Sequence, residues 1–192
     1  MTDQSHELLA AALARDLDGH FEQLVAEFQD RLYSFALRLL GSAQDAEEVT
    51  QDTFVRAYRA LDRYPPEQRA SLRLRPWLYQ ITLNVVRNRV RRPALKLLTV
   101  DGQLADSLAG PGSDQPEAIS LANERQQQLA QLLAALPARY ASAVVLRHVQ
   151  GLSYAEAAEI LNQPVGTTKS DVHRGLRLLR EALDQAPLQA AC

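Results

Sequence analysis

Apolar residues recur every three or four positions along most of this chain, and that period predicts α-helices. The first half carries the pattern over residues 18–40, 43–61 and about 76–92. The second half carries it over residues 117–136, 138–150, 153–161 and 167–183. We find no segment with the alternation typical of a β-strand, so the predicted fold class is all-α.

Glycine and proline cluster between two helical halves. Residues 93–116 contain little hydrophobic period but several chain-breaking residues, which is typical of a linker. The sequence therefore predicts two small helical domains, over residues 18–93 and 117–185, joined by a flexible acidic linker over residues 94–116. The second domain is predicted to contain four helices.

The end of the second half predicts a helix-turn-helix. Ser153 followed by Glu156 is a capping-box pattern that starts a short helix, residues 162–166 form a turn, and a longer helix follows. Its apolar stripe is predicted to face the core through Thr168, Val172, Leu176, Leu179 and Leu183. The opposite face could enter a DNA major groove, and its candidate contacts are Thr167, Lys169, Ser170, His173, Arg174 and Arg177. Asp171 lies at the edge of that face, where it would repel phosphate or pair with Arg174.

The helix over residues 76–92 and the loop before it form a second candidate nucleic-acid surface. Residues 68–100 hold eight arginines and lysines and no acid. Trp77, Leu78, Ile81, Thr82 and Val85 form the apolar stripe. Cations beside amide groups suit a single-stranded or melted DNA partner, and the candidates are Tyr64, Arg75, Gln80, Asn84, Arg87, Asn88, Arg89 and Arg91.

The helix over residues 43–61 buries Ala46, Val49, Thr53, Ala57 and Leu61 and carries acids on its other side. An acidic, partly apolar patch could dock a basic protein surface, through Asp45, Glu48, Gln51, Asp52 and Val55. For each of these three faces, the alternative is an ordinary solvated helix surface.

Composition narrows the function classes. The 192 residues carry a net charge of −2, so cationic surfaces must be local rather than global. The single cysteine, Cys192, allows no internal disulfide, which fits the cytoplasm, and neither a signal peptide nor a membrane span is expected. The four histidines lack metal-ligand spacing, and neither a phosphate-binding glycine loop nor a nucleophile motif occurs. We therefore expect no enzyme activity, cofactor, metal or small-molecule substrate.

Three motifs in order resemble extracytoplasmic-function (ECF) RNA polymerase sigma factors of the sigma-70 superfamily. They are DAEEVTQDTFVRAY at residues 45–58, PWLYQITLN at 76–84 followed by RNR at 87–89, and YAEAAEIL at 154–161 with PVGTTKS at 164–170. The resemblance covers about residues 21–183.

The resemblance implies core RNA polymerase and promoter DNA as partners, with control by an anti-sigma factor. The acidic helix would dock polymerase, Asn84 and its neighbours would capture melted minus-ten bases, and Lys169, Ser170, His173 and Arg174 would contact the minus-thirty-five element. Asp171 departs from the family, which usually has arginine there. The alternative function is a stand-alone helix-turn-helix regulator, which would leave the first-half surfaces without a role.

Overall fold

The computed structural model describes residues 3–91, 132–133 and 135–185, and the regular structure within them is entirely helical. Helices α1 to α5 span Asp3–Arg15, Leu17–Leu40, Ala43–Arg63, Pro66–Ala70 and Leu74–Arg91. In the second half, α6 spans Ala138–Val144 and continues as a π-helical turn over Val145–Val149, followed by α7 at Tyr154–Leu161 and α8 at Val165–Gln185. The all-α prediction is confirmed, with two small helical domains.

Two predicted segments fall largely outside the described residues. The linker over 94–116 lies outside them completely. Of the helix predicted over 117–136, only Leu132, Leu133, Ala135 and Leu136 are described; the first three are helical, and Leu136 lies in a bend just past the helix end.

The core of the first half forms between α2, α3 and α5. Leu24, Phe28, Leu32 and Phe35 follow one another at helical spacing along α2, and all four are fully buried. The predicted inner face of α3, from Ala46 to Leu61, is buried as expected. Asp16 and Ser42 cap the starts of α2 and α3 by accepting hydrogen bonds from the backbone nitrogens of Gly19 and Asp45.

Two helices of the first half were not predicted. Helix α1 buries Leu9, Ala10 and Leu13 in the core. Helix α4 lies within the segment predicted to be a loop between residues 63 and 75. Arg69 of α4 ties the two together, because its Nη1 donates to the carbonyl oxygen of Leu13 at 3.4 Å.

Helix α5 begins two residues before Pro76. The proline therefore lies in the first turn, where its missing N–H costs no hydrogen bond within the helix. Its predicted apolar stripe is buried or half-buried. Leu78 and Leu83 share one continuous buried cluster with Leu146 and Ile160 of the second half. Helix α5 therefore packs against the second half of the chain, partly through Leu78 of the predicted stripe and partly through Tyr79 and Leu83, which the sequence analysis had not assigned to the core.

The end of α6 widens into a π-helical turn where the sequence predicts uniform helix to residue 150. The backbone nitrogen of Gln150 donates to the carbonyl oxygen of Val145 at 2.9 Å, five residues back. Gly151 then takes a left-handed conformation, with φ of 66°. This turn directs Gln150 toward α5, where it takes part in the contacts described below.

Candidate nucleic-acid interface

Helices α7 and α8 form the predicted helix-turn-helix. The capping box at Ser153 is complete: its Oγ accepts from the nitrogen of Glu156 at 3.2 Å, and its nitrogen donates to Glu156 Oε2 at 2.8 Å. Asn162 ends α7 in the left-handed conformation, with φ of 52°. Helix α8 begins at Val165, two residues earlier than predicted, so Val165 and Gly166 belong to the helix and not to the turn.

The buried face of α8 differs from the prediction. It consists of Thr168, Asp171, Val172, Gly175 and Leu179. Leu176 and Leu183, predicted to be core, are 38% and 54% exposed. On its inner side, α8 lies close against α6 at Gly175. A Cβ built there would lie 2.6 Å from Val144 Cγ2 and 3.3 Å from the carbonyl oxygen of Tyr140.

The placement predicted for Asp171 was also wrong. The residue is fully buried on the inner side of α8, and its partner is Arg139 of α6 and not Arg174. Arg139 Nε donates to Asp171 Oδ2 at 2.8 Å, and this hydrogen bond raises the pKa of the arginine. Asp171 therefore presents no charge on the outer face of the helix.

The outer face of α8 carries the predicted cationic and polar side chains. Lys169, Ser170, His173 and Arg174 are exposed and line one shallow groove together with Tyr154. Thr167 is half-buried beside them, and Arg177 is exposed with its Nε 3.5 Å from Glu181 Oε1.

Tyr154 is a groove residue that the sequence analysis missed. Its ring centroid lies 5.7 Å from Lys169 Nζ and 5.0 Å from Arg147 Cζ, so two cations lie next to this one aromatic ring. The sequence signal was its position directly after the N-cap Ser153, at the helix end nearest the groove.

The predicted minus-ten residues do not form one surface. Asn84, Arg87, Asn88 and Arg91 lie exposed along the second half of α5. Tyr64 is half-buried, with its ring centroid 6.3 Å from that of Trp77. Of the other three members, Arg75 and Gln80 contact the second domain, and Arg89 pairs with acids of α3.

Arg89 joins the minus-ten set to the predicted polymerase-docking set. Its Nε lies 2.8 Å from Asp45 Oδ1, and its Nη1 lies 2.6 Å from Glu48 Oε2. These two carboxylates outweigh the opposing effect of burial and raise the pKa of Arg89. Two surfaces that the sequence treated separately are thus connected between α3 and α5.

The rest of the acidic face of α3 is open. Gln51 and Val55 are exposed, and the apolar Val55 side chain is 48% accessible. Asp52 pairs with Arg56 one turn later, with 2.9 Å between Oδ2 and Nη2. The face combines negative charge with an exposed apolar residue, and its role in protein docking stays a prediction.

Arg75 and Gln80 contact the second domain. Arg75 Nη2 donates to the carbonyl oxygen of Gln150 at 3.0 Å, and Gln80 Nε2 donates to that of Glu159 at 2.8 Å. Arg73 Nη1 lies 2.5 Å from Glu159 Oε2. These polar contacts border the buried cluster that α5 shares with α7.

Two groups in this contact have shifted pKa values. Burial raises the pKa of Tyr79 to about 12, and its hydroxyl donates to Gln150 Oε1 at 2.6 Å. Burial opposes the ionisation of Glu156, but its hydrogen bonds with Ser153 and the nearby charge of Arg75 outweigh this, so its pKa is lowered. Both groups therefore keep their usual charge state at neutral pH.

None of the described helices combines the length and apolar character that a bilayer-spanning segment needs. Within the same residues, no group of three histidine, cysteine, aspartate or glutamate side chains is arranged to hold a metal ion.

Comparison with known proteins identifies both halves. Residues 24–94 match Sigma-70 region 2, and residues 126–179 match Sigma-70, region 4. The ECF RNA polymerase sigma factor SigW of Bacillus subtilis (strain 168) is 33% identical over 174 residues, which cover 85% of this chain and 88% of SigW. The ECF RNA polymerase sigma-E factor of Escherichia coli (strain K12) is 34% identical over 192 residues, covering 96% and 93% of the two chains.

A solved structure agrees with these sequence relatives. CnrH, determined in complex with the cytosolic domain of CnrY, superposes with a TM-score of 0.66 and 29% identity. The alignment covers 93% of this chain and 96% of CnrH. With two family regions in order and similarity over nearly the whole length, the chain belongs to the ECF family of RNA polymerase sigma factors.

Proposed function

We propose that this chain binds core RNA polymerase, recognises the minus-thirty-five and minus-ten elements of promoters, and promotes transcription initiation. The observation that carries the proposal is the presence of two cationic helical faces on different elements. One lies on the recognition helix of a helix-turn-helix, and the other lies along α5. The chain itself performs no bond chemistry, since nucleotide addition belongs to the polymerase.

The outer face of α8 fits duplex DNA. Lys169 and Arg174 can donate to guanine edges or to phosphate, and Ser170 and His173 supply further hydrogen bonds. The flanking residues Thr167 and Arg177 would contact the DNA backbone. Tyr154 lines the same groove, and its ring centroid lies 5.7 Å from Lys169 Nζ.

The exposed end of α5 fits separated strands. Asn84 and Asn88 offer amide groups to unpaired bases, while Arg87 and Arg91 neutralise the adjoining phosphates. Unstacking a base costs a few kcal/mol, and these contacts would offset that cost. Arg75 and Gln80 would join them only after the second domain has moved away from α5, because both side chains now donate to carbonyl oxygens of that domain.

Polymerase docking is assigned to the α3 face. Val55 and Gln51 are accessible, and Asp45, Glu48 and Asp52 give the face the negative charge that a basic partner surface would complement. The proposed functional units are residues 18–93 for polymerase and minus-ten binding and 117–185 for minus-thirty-five binding, linked by 94–116. Action on promoter DNA implies a cytoplasmic protein, and family membership implies an anti-sigma factor as a further partner.

Reconstituted transcription is the direct test. Purified core polymerase is combined with this protein on fragmented genomic DNA, and transcript starts are mapped. We expect starts that depend on the added protein. A stand-alone helix-turn-helix regulator would instead bind duplex DNA but form no complex with core polymerase, so failure both to bind core and to start transcripts would overturn the proposal.

Asn84→Ala tests the minus-ten assignment. We expect weaker bubble opening with little change in duplex binding, because the side chain would contact only separated bases. Permanganate reactivity of the minus-ten thymines measures opening. Gln29→Ala, an exposed amide on α2 outside all three proposed surfaces, is the matched control; equal reactivity in the two variants would count against the assignment.

A further inference from the structure

A carboxylate is buried within the recognition helix itself. The side chain of Asp171 is only 1% exposed, although its neighbour Ser170 and the following His173 lie on the outer face. An acid inside a helix that binds nucleic acid has no attractive contact to make with phosphate. Its contacts within the protein must therefore explain its placement.

Asp171 connects three parts of the second domain. Its Oδ2 accepts from Arg139 Nε of α6 at 2.8 Å and from Gln163 Nε2 of the turn at 3.0 Å. Gln163 Nε2 also lies 3.1 Å from Thr168 Oγ1, one turn earlier on α8. Asp171 Oδ2 thus joins α8 to the start of α6 and to the turn, and Gln163 extends the network to the first turn of α8.

This arrangement is poorly suited to stability alone. Among the described residues nothing hydrogen-bonds to Asp171 Oδ1, although the atom is buried. A half-satisfied buried carboxylate costs free energy, and an apolar residue of similar size is often at least as stabilising. The carboxylate can instead fix the orientation of α8, because hydrogen bonds from α6 and from the turn restrict the rotation of the helix about its own axis.

Rotation of α8 determines where its outer side chains meet DNA. A turn of about 20° moves atoms at the helix surface, about 6 Å from the axis, by about 2 Å. Hydrogen bonds to base edges do not survive such a shift, whereas contacts between long cations and phosphate tolerate it. The network would therefore affect sequence discrimination more than general DNA affinity.

We propose that Asp171 is a positioning residue for promoter recognition, which holds α8 in register through Arg139 and Gln163 without contacting DNA. The inference deepens the proposed function and rests on it. The partner of Asp171 in this role is Arg139, whose side chain is 56% exposed. Arg139 can therefore be replaced without opening the core.

The experiment compares full-length variants in holoenzyme reconstituted with core polymerase. The readout is the ratio of affinities for a start-site-mapped promoter fragment and the same fragment with a scrambled minus-thirty-five element. For Arg139→Gln and Asp171→Asn we expect this ratio to fall about tenfold, with nearly unchanged affinity for the scrambled fragment and an unchanged salt dependence. Arg15→Gln, an exposed arginine at the end of α1, controls for the loss of one positive charge.

The reversed pair, Arg139→Asp with Asp171→Arg, separates positioning from contact. Restoration of much of the lost discrimination supports positioning, because the ion pair is re-formed with its charges exchanged. A smaller salt dependence in Arg139→Gln would show that Arg139 contacts phosphate and would overturn the inference, as would undiminished discrimination in the folded single variants. Should Arg139→Gln unfold, Arg139→Lys serves instead, since it keeps the charge but loses the planar fork. If wild-type holoenzyme itself shows no discrimination, the proposed function fails and not only the role of Asp171.

Discussion

Replacing Gly175 by alanine tests the packing on which the recognition helix depends. The new methyl group would lie 2.6 Å from Val144 Cγ2 and 3.3 Å from both Cβ and the carbonyl oxygen of Tyr140. Val144 is buried in α6 and β-branched, so it is largely restricted to one rotamer within the helix. Helix α8 must therefore move away from α6 or rotate.

The expected cost follows from two opposing effects. Overpacking of a well-filled core costs about 1–3 kcal/mol. Alanine has a higher helix propensity than glycine, which stabilises the helix by about 1 kcal/mol. We therefore expect the free energy of unfolding to fall by up to about 2 kcal/mol relative to the wild type.

Urea unfolding of the full-length protein measures this change, and the chain offers a matched control. Gly166 lies in the same helix, and a Cβ added there would meet nothing within 4 Å. Gly166→Ala should therefore be neutral or stabilising, by less than about 1 kcal/mol. In a Val144→Ala background the cost of Gly175→Ala should largely disappear. Equal stability of the two glycine variants, or a cost that persists without the valine, would refute the reasoning.

Three further predictions concern the interface and its supports. Arg174→Ala should reduce promoter discrimination by about 1–3 kcal/mol if the side chain reads a base edge, and an equal loss on scrambled DNA would show phosphate contact alone. Ser153→Ala should lower the free energy of unfolding by about 1 kcal/mol, measured by urea unfolding, because Glu156 loses its capping partner. Raising the pH from 10 to about 12 ionises Tyr79 in the unfolded chain before the folded one. The stability that the neutral Tyr79 side chain contributes is complete below pH 10 and is lost over that window, at up to about 1.4 kcal/mol per pH unit. The stability of Tyr79→Phe should lack this pH dependence. Parallel profiles of unfolding free energy against pH for the two proteins would contradict the prediction.

Local patterns in the sequence predicted most of the described helices and two of their buried faces. The stripes of α3 and α5 were correct because apolar residues at helical spacing, with clear caps or a starting proline, leave few alternatives. The outer face of α8 was predicted for the same reason. Its inner face was not, because the prediction relied on apolar residues alone. Gly175 is buried because two helices meet closely there, and Asp171 is buried because it pairs with Arg139. In the sequence alone, a glycine and an aspartate both resemble surface residues.

Long-range contacts account for the other differences. The pair of Arg89 with Asp45 joins residues 44 positions apart, and that of Arg73 with Glu159 joins residues 86 positions apart. No periodicity contains such information, because it depends on how whole helices dock. Helix α1 was missed for a related reason: its apolar residues, Leu9, Ala10 and Leu13, become a core face only once α2 and α4 are placed beside them.

The bridge from Arg89 to Asp45 and Glu48 has a consequence for promoter architecture. Together with the buried cluster of Ala46, Val49, Val85 and Val86, it holds the proposed polymerase-docking helix against the proposed strand-capturing helix. The distance from the enzyme's attachment point to the first captured base is then set by folding and not by each DNA sequence. Bases at that position should accordingly keep a constant offset from the start site across every promoter that this protein serves.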